Sequence, residues 1–425
     1  MGAIMSTNSE GAPSSAYRTY VLAALSTVGL MNNVDRVVIY MFLQPIKKEF
    51  LLSDTEVGLL SGAAFAIMAG IVAIPLARLA DRGNRKWLIA GCFAAWSFFT
   101  AICGAASNFA MLMLARVGVG IGEAGSPPAT ASMLGDYYPR DLRSRAFAVF
   151  TATTAIGGVS GWVGGGLLVQ AVGWRNGFFI LGAIGLVLAL IFHWTVREPT
   201  RVDVKPPADL PAKGVLAELG DLRSFAMLTA AMALAGFVGA ASSWLPSYFA
   251  RTFNLPPIQV GLGLGLSLGF PFAIGTIVGG QLGVRHVRNS KSWAARFAAV
   301  SMAMGTPFLV GCFLAPTPML AFGSLFVSML LIGASTGPIN VTVQDLVSPH
   351  ARATAIAITS IALLVFGGGL GPVLIGAISD WLLLRDPAAN SLRLALMSTA
   401  IPLLAASVMY WLLGRRIDAK QLELA

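Results

Sequence analysis

Long apolar stretches alternate with short polar segments along almost the whole chain. About 20 apolar residues form a helix that crosses the hydrocarbon core of a membrane, and twelve stretches have roughly that length or more. We therefore predict twelve membrane-spanning helices. The first six cover residues 20–44, 57–79, 87–107, 109–134, 146–172 and 178–196, and the last six cover residues 225–250, 259–283, 293–314, 320–343, 353–379 and 394–413.

One polar segment, residues 197–223, is much longer than the others and is rich in proline and charge. Five residues also recur at a constant offset of 209 positions: Asp136, Arg143, Ala146, Ala148 and Gly158 match Asp345, Arg352, Ala355, Ala357 and Gly367. We predict an all-α membrane protein with a six-helix bundle in residues 1–196, a cytoplasmic linker in 197–223 and a second, pseudo-symmetric six-helix bundle in 224–425. Such duplicated halves are typical of secondary transporters, which bind substrate between the repeats near the membrane midplane.

The composition and the distribution of charge agree with this arrangement. Only 11% of the residues are charged, against about a quarter in soluble globular proteins. The net charge of +10 would favour a nucleic-acid partner in a soluble protein, but 21 of the 29 Lys and Arg residues fall on the same predicted side as the N-terminus, and six fall on the other. This bias marks the cytoplasmic side. We therefore expect both termini in the cytoplasm and no nucleic-acid partner.

The N-terminus and the reactive residue types narrow the class further. Residues 1–16 lack the basic region and the apolar core of a signal peptide, so we predict a soluble tail on a multi-pass protein of the cell inner membrane. The three histidines are isolated in the sequence, and no metal-ligand cluster or nucleophile pattern is visible. We therefore predict no enzymatic activity, no metal and no cofactor, and we expect a monomer surrounded by membrane lipids.

Four charged residues lie well inside the predicted helices: Asp35, Arg36, Arg116 and Glu123. A charge that faces lipid is costly, so these side chains should face one another or a wet cavity. A carboxylate that loses its arginine partner binds a proton more readily, and the released arginine suits a phosphate or carboxylate group. We predict that Asp35 and Glu123 couple transport to protons and that Arg36 and Arg116 bind an anionic substrate. The alternative is a buried network that only fixes helix packing.

The second half carries no charge at comparable depth and offers polar residues such as Ser243 and Trp244 instead. A cavity between the halves would be charged on one wall and mostly apolar on the other, which fits an amphipathic substrate better than a sugar. We predict Ser243 and Trp244 as substrate contacts, with a membrane-interface anchor as the other interpretation of Trp244.

The segment between the second and third predicted helices resembles the signature loop of the major facilitator superfamily. It reads Leu79-Ala80-Asp81-Arg82-Gly83-Asn84-Arg85-Lys86. The resemblance implies that Asp81 lies against the end of the eleventh helix and that Arg82 and Arg85 lock the cytoplasmic side in the outward-facing state. We place Asp136 and Arg143, in the loop after the fourth predicted helix, in the same cytoplasmic gate.

Within the superfamily, three further segments resemble the spinster family. They are Asn32-Asn33-Val34-Asp35-Arg36, Gly120-Ile121-Gly122-Glu123-Ala124 and residues 136–145. Spinster proteins are proton-linked carriers of lysophospholipids and of sphingolipids such as sphingosine 1-phosphate. The resemblance thus implies a bacterial carrier that moves an amphiphilic anionic lipid with protons by alternating access, and we add Asn32 to the expected substrate contacts. Symporters of sugar acids and other organic anions share the Asn-x-x-Asp-Arg pattern and are the alternative. A membrane sensor that binds its ligand without moving it is a third hypothesis.

Overall fold

The predicted all-α class is confirmed by the computed structural model. It describes residues 14–63, 70–72, 75–76, 78–80, 83–199, 221–286, 292–348, 351–386 and 390–424, and these ranges contain helices and no β-strand. Nine helical stretches within them are long and apolar enough to cross a membrane. The helix with the first predicted span is not among the nine, because its internal polar and charged residues lower its mean hydropathy. Twelve spans and a cytoplasmic location of both termini stay predictions.

The described α-helices are numbered in chain order. In residues 14–199 they are α1 (Ser15–Phe50), α2 (Asp54–Gly58), α3 (Arg85–Ala105), α4 (Phe109–Tyr137) and α5 (Arg140–Thr195). Further along they are α6 (Leu222–Ala235), α7 (Phe237–Phe253), α8 (Pro257–Leu264), α9 (Phe270–His286), α10 (Trp293–Leu314), α11 (Pro318–Asp345), α12 (Arg352–Ala362), α13 (Gly371–Arg385), α14 (Ser391–Met397) and α15 (Ala400–Leu424). Three π-helical segments, Leu59–Ala63, Gly265–Gly269 and Leu363–Leu370, continue α2, α8 and α12.

The turn between α1 and α2 is fixed by local chemistry. Leu51 ends α1 in the left-handed region with a φ of 54°. The hydroxyl of Ser53 then accepts a hydrogen bond from the backbone N–H of Glu56, and the Glu56 carboxylate accepts one from the backbone N–H of Ser53. This reciprocal capping box begins a helix sharply. It places Asp54 at the first position of α2, at one end of the helix bundle.

The fifth and sixth predicted spans lie in one continuous run, α5, as two helices that meet at a kink. The run is interrupted only at Gly173, whose φ of 78° lies in the left-handed region that a residue without a Cβ adopts easily. Trp174 and Arg175 follow at once, and both side chains donate hydrogen bonds to Glu49 at the end of α1. The connection is therefore a kink of one residue, held against α1.

Helix packing sorts the helices into two groups with a few junctions between them. In the first half, residues 1–196, α5 packs against α1 and α3, and α3 packs against α4. In the second half, residues 224–425, α11 packs against α9 and α10, and α15 packs against α6 and α10. The junctions between halves join α2 to α13, α5 to α8 and α1 to α7. Most of the predicted linker lies outside the described residues, so the proposed division of the chain stays a prediction.

Candidate functional site

An ion pair joins α1 to α4 inside the first half. Arg36 Nε lies 2.8 Å from Glu123 Oε2. The Glu123 side chain is completely buried, whereas 39% of the Arg36 side chain is exposed. A carboxylate so deeply buried needs a charged partner to remain ionised. Arg36 balances the charge of Glu123 and still reaches the space beside the helix.

The other two predicted charges lie beside this pair. Asp35 and Arg116 are buried, and both are close enough to Glu123 to interact with it electrostatically. Asn32, which precedes Asp35 by about one turn on α1, is also buried. The structure thus brings together the four charges that the sequence places inside the membrane. We call Asp35, Arg36, Arg116 and Glu123 the charged cluster.

Glycines let α4 approach α3 closely at the charged cluster. A Cβ added to Gly122 would lie 2.7 Å from the backbone nitrogen of Trp96, and one added to Gly118 would lie 2.4 Å from the ring of Phe99. Any larger residue at these positions would push the helices apart. The small residues between Arg116 and Glu123 therefore hold that face of α4 against α3.

A cavity of about 810 Å³ lies between the two halves. Its walls are mostly apolar, and no charged residue of the described chain lines it. The first half contributes Val37, Tyr40, Ala155, Gly158, Val159 and Trp162, and the second half contributes the other 21 lining residues. The cavity is large enough for a drug-sized molecule or for part of a lipid.

Tyr40 links the charged cluster to this cavity. Its ring packs against Trp162 with the ring centroids 5.8 Å apart, and both residues line the cavity. Tyr40 is also within electrostatic range of Arg36, Arg116 and Glu123. The charged cluster therefore lies next to the first-half wall of the cavity.

The two predicted substrate contacts in the second half point elsewhere in this conformation. Trp244 is fully buried, and its indole nitrogen donates a hydrogen bond of 3.0 Å to the Pro372 carbonyl. Ser243 donates to the carbonyl of Ala240 in its own helix at 2.7 Å. Neither residue lines the cavity. Their contact with a substrate stays a prediction, and in the structure Trp244 ties α7 to α13.

At the end of the bundle where α2 begins, Asp54 joins the two halves. Its carboxylate receives hydrogen bonds from Arg251 of α7 at 2.7 and 3.0 Å and from the Ser379 hydroxyl of α13 at 2.7 Å. Lys47 of α1 pairs with the same carboxylate. Arg251 also donates to Gln44 at 2.9 Å. We call Asp54, Lys47, Arg251 and Ser379 the Asp54 lock.

The carboxyl group of Asp54 in the lock is ionised at neutral pH. Burial acts to raise the pKa of Asp54, but the hydrogen bonds from Arg251, Lys47 and Ser379 and the positive charge of Arg251 outweigh it. They hold the pKa at about 2, below the ordinary value of 3.8. Asp54 therefore stays ionised, with its partners bound, at any pH well above 2.

A second carboxylate crosses between the halves next to the lock. Asp380 of α13 accepts hydrogen bonds from the backbone N–H groups of Asp54 and Thr55 at 2.9 and 2.7 Å. These N–H groups belong to the first turn of α2, where they have no partner inside the helix and where the helix dipole favours a negative charge. Asp380 thus caps a helix of the opposite half.

Backbone contacts at glycines complete this junction. A Cβ added to Gly58 would lie 2.5 Å from the Pro372 carbonyl oxygen, and one added to Gly62 would lie 2.3 Å from the Gly368 carbonyl oxygen. Between α5 and α8, a Cβ on Gly261 would lie 2.4 Å from the Trp162 carbonyl oxygen. Helices from opposite halves therefore meet backbone to backbone on the side of the Asp54 lock.

The predicted cytoplasmic gate lies at the opposite end. Arg85 Nε lies 2.8 Å from Glu198, its NH1 group bonds Asp136, and Arg143 donates to the carbonyl of Gly135 at 2.6 Å. None of these bonds, in the described part of the chain, reaches the second half. Burial acts to lower the pKa of Arg85, but its two carboxylate partners raise it above the ordinary value. Asp81 and Arg82 lie outside the described residues, so their predicted contacts are not observed.

Sequence reasoning missed four of these charged residues. Asp54, Arg251 and Asp380 lie at the ends of predicted spans, where charge is common and carries little signal, and Glu198 lies in the predicted linker. A signal was present for Asp54, because Ser-Asp-x-Glu before an apolar run marks a helix start. Its partners Arg251 and Ser379 are about 200 and 325 residues away along the chain, and spacing cannot pair them with Asp54.

Comparisons with known proteins agree with this fold. The sequence model of the Major Facilitator Superfamily matches residues 25–372. An MFS-type efflux pump of Mycolicibacterium smegmatis is 32% identical over 397 residues, which cover 93% of this chain and 92% of the pump. The human protein spinster homolog 1 is 28% identical over 387 residues, which cover 85% of this chain and 72% of the human protein.

Solved structures give the same result. One is the crystal structure of a bacterial homologue of the human lysosomal transporter Spinster in an inward-facing and unoccupied conformation. Its sequence is 30% identical to this chain, and the two structures superpose with a TM-score of 0.87 over 96% of this chain and 99% of the homologue. The structure of such a homologue in an inward-facing and occupied conformation gives a TM-score of 0.84 over 95% of this chain and 98% of the homologue. The nucleoside transporter NupG, at 15% identity and a TM-score of 0.68 over 92% and 98%, shares the fold.

Proposed function

The chain is a spinster-like member of the major facilitator superfamily, and from this premise we propose that it is a proton-coupled secondary transporter of an amphiphilic anionic lipid. The substrate class is a lysophospholipid or a molecule like sphingosine 1-phosphate, and transport follows alternating access. The observation that carries the proposal is the Arg36 to Glu123 ion pair beside a mostly apolar cavity. One end of an amphiphile would meet charge there, and the rest would meet apolar walls.

In this mechanism the substrate and a proton separate one ion pair, and each binds one of its two members. An anionic head that reaches Arg36 takes over the guanidinium that neutralises Glu123. Glu123 is then a buried carboxylate without its counter-ion, a state that favours protonation. When the proton leaves, Glu123 recovers Arg36 and releases the head. Arg116 and Asp35 keep the net charge of the buried group near zero throughout.

Alternating access would use the two ends of the bundle in turn. With both termini in the cytoplasm, the Asp54 lock faces the outside, and the structure then corresponds to an inward-facing state. Opening the outside requires Asp54 to leave Arg251 and Ser379, and Asp380 to leave the first turn of α2. We propose that Asp81, Arg82, Arg85, Asp136 and Arg143 close the cytoplasmic end in exchange. The protein would act as a monomer in the cell inner membrane.

The test uses purified protein in liposomes with an imposed proton gradient and a lysophosphatidate probe. The wild type should accumulate the probe when the gradient is present. Glu123→Gln and Asp35→Asn should lose about tenfold or more of this accumulation, while exchange of labelled for unlabelled probe continues, because exchange needs no net proton movement. Glu49→Gln is the matched control, since Glu49 pairs with Arg175 at the surface, away from the charged cluster. Unchanged gradient-driven accumulation in both cluster variants would refute the proton role.

A small organic anion such as a sugar acid is the alternative substrate. Several cavity residues, among them Thr336, Asn340 and Ser360, have polar side chains that could bond its hydroxyl groups. Competition distinguishes the two classes: gluconate that displaces a bound probe, with no displacement by lysophosphatidate, favours the small anion. Binding of either ligand without any flux would instead indicate a membrane sensor.

A further inference from the structure

Buried polar atoms without a hydrogen-bond partner gather around the charged cluster. Within the described part of the chain, such atoms include Asp35 Oδ1, Arg116 Nε, Glu123 Oε1, Trp96 Nε1 and Thr100 Oγ1. All five side chains belong to residues at most 3% exposed. Buried polar groups in proteins are nearly always hydrogen-bonded, so a concentration of this kind requires a partner.

The two residues of α3 in this group face the charged cluster. The Trp96 indole N–H is directed at the Asp35 carboxylate and interacts with it, but without the geometry of a full hydrogen bond. Cys103, about two turns further along α3, is within electrostatic range of Asp35 and Arg116. Residues 96, 100 and 103 share one face of a helix. Thr100 therefore lies on the face that Trp96 and Cys103 turn towards α1 and α4.

The orientation of the Thr100 hydroxyl supports this placement. A threonine inside a helix commonly donates to the carbonyl four residues earlier. Several buried or half-buried threonines of this chain do so: Thr27, Thr154, Thr306, Thr342 and Thr359. Thr100 does not, and its hydroxyl has no other protein partner in the described residues. Its hydroxyl is therefore available to a group outside its own helix.

The mixture of donors and acceptors identifies the missing partner. Trp96 and Arg116 offer N–H donors, Asp35 and Glu123 offer carboxylate acceptors, and the Thr100 hydroxyl is both. A metal cation would be repelled by two guanidinium groups, and an anion would be repelled by two carboxylates. Water both donates and accepts, and buried waters typically make about three hydrogen bonds.

We propose that α1, α3 and α4 enclose a hydrated chamber in which ordered water bridges Asp35 to Glu123, with Trp96 and Thr100 as the residues that position it. The coupling role of this water rests on the proposed function, whereas its presence does not. The described titratable and charged groups around the chamber are Asp35, Arg36, Tyr40, Cys103, Arg116 and Glu123. A proton could then pass between the two acids without direct contact between them.

The first test is structural and needs no substrate. A structure of the full chain at a resolution that shows ordered water should place at least one water within hydrogen-bond distance of Thr100 Oγ1 and Asp35. Thr100→Val, which removes the hydroxyl with little change of shape, should lose or displace that water. Thr306→Val is the matched control, because Thr306 is buried in the second half and bonds its own helix at 2.8 Å. A dry chamber in the wild type would overturn the proposal.

The second test measures lysophosphatidate uptake against pH in liposomes. Thr100→Val should move the midpoint upward by about one pH unit, the size expected when a charged group loses one hydrogen bond. Thr306→Val should leave the midpoint in place, and Trp96→Phe should act like Thr100→Val if it folds. Water at Thr100 with an unchanged midpoint would overturn the coupling role. If the wild type moves no lysophosphatidate, the proposed function fails, and the structural test still decides the chamber.

Discussion

The two arginines of the charged cluster differ in exposure, and the difference assigns them separate roles. The side chain of Arg36 is 39% exposed, although it does not line the cavity, whereas Arg116 is 2% exposed. We propose that a substrate head binds Arg36, the more exposed of the two. Arg116 instead balances the negative charge of Asp35 and Glu123 from inside, and the two predicted anion-binding residues are not equivalent.

Neutral variants should separate the two roles. Arg36→Gln should remove measurable lysophosphatidate binding and also lower stability, because it takes the ion-pair partner away from the buried carboxylate of Glu123. Arg116→Gln should lower the free energy of unfolding by about 3–5 kcal/mol, since it leaves a buried carboxylate without compensation. Ligand binding and thermal unfolding, measured in the same detergent, check both. Equal effects of the two variants on both measurements would contradict the assignment.

The pKa of Asp54 predicts that the lock itself is not a proton sensor. A carboxyl whose folded-state pKa is depressed contributes stability above its ordinary value near 3.8, and loses it only as the pH falls through about 2. Between about pH 5 and 8 its ionisation does not change. Asp54→Asn should therefore alter the maximal rate of uptake but leave the pH midpoint where it is. A midpoint shift of about one unit in Asp54→Asn liposomes would show that the lock takes part in coupling.

The contrast between the charged cluster and the lock explains what sequence could predict at this scale. Asp35 and Glu123 stand out because charge within an apolar run is rare and costly. Asp54 is also buried, and it forms an ion pair with Arg251. Both residues, however, lie at the ends of apolar runs, where charged residues are common. Their importance follows from a contact between residues about 200 positions apart, and only the folded chain creates it.

At the scale of elements, hydropathy located the helices better than it located their interruptions. The apolar runs match helices, but they do not show that the helices of the fifth and sixth spans join through a single non-helical residue, Gly173, whose positive φ suffices for the turn. The π-helical segments Gly265–Gly269 and Leu363–Leu370 were not predicted either. The hydropathy pattern shows which residues are apolar. It does not show how many residues each turn of the helix contains.

Glycine at the junction of α2 and α13 should control which conformation the protein prefers. A Cβ at Gly62 would meet the Gly368 carbonyl at 2.3 Å, so Gly62→Ala should separate the halves on the side of the lock. Gly164→Ala, where nothing lies within 4 Å, is the matched control. Thiol labelling of a cysteine introduced at Leu60, which is buried beside the junction, should be faster in the Gly62→Ala background than in the control.

Gly157→Ala tests whether that effect is specific to the junction between halves. A Cβ there would lie 2.4 Å from the Leu30 carbonyl, a contact between α5 and α1 within the first half. This variant should lose stability without faster labelling at position 60. Faster labelling in all three glycine variants would mean that the close contact between α2 and α13 does not select the conformation.

For the whole molecule, the bonds that cross between the halves concentrate at one end. There, Asp54 and Asp380 each bond to the opposite half. At the other end, Arg85 pairs with Asp136 and Glu198, and Asp221 pairs with Arg416. This asymmetry is what a two-state carrier requires, since closing one end must leave the other free to open.

The lock should therefore set the balance between the two states, and Arg251→Ala measures how strongly. The variant removes two charge-assisted bonds to Asp54, while Lys47 and Ser379 keep the carboxylate from being left unpaired. We expect a shift of about 1–2 kcal/mol towards the state with this end open, which is about a five- to thirtyfold change in population. Spin labels on cysteines at Leu51 and Leu384, both highly exposed, report the distance across this end. The three native cysteines are buried and should label little.

A second label pair makes the measurement decisive. Leu51 and Asn176 lie in the same half near the same end, where Arg175 and Glu49 are joined by an ion pair of 2.6 Å. Their distance should not change in Arg251→Ala, because each half is expected to move as a unit. A longer Leu51 to Leu384 distance with a constant Leu51 to Asn176 distance is the expected result. If neither distance changes, the Asp54 lock does not hold the halves together, and the backbone contacts at Gly58 and Gly62 must close this end alone.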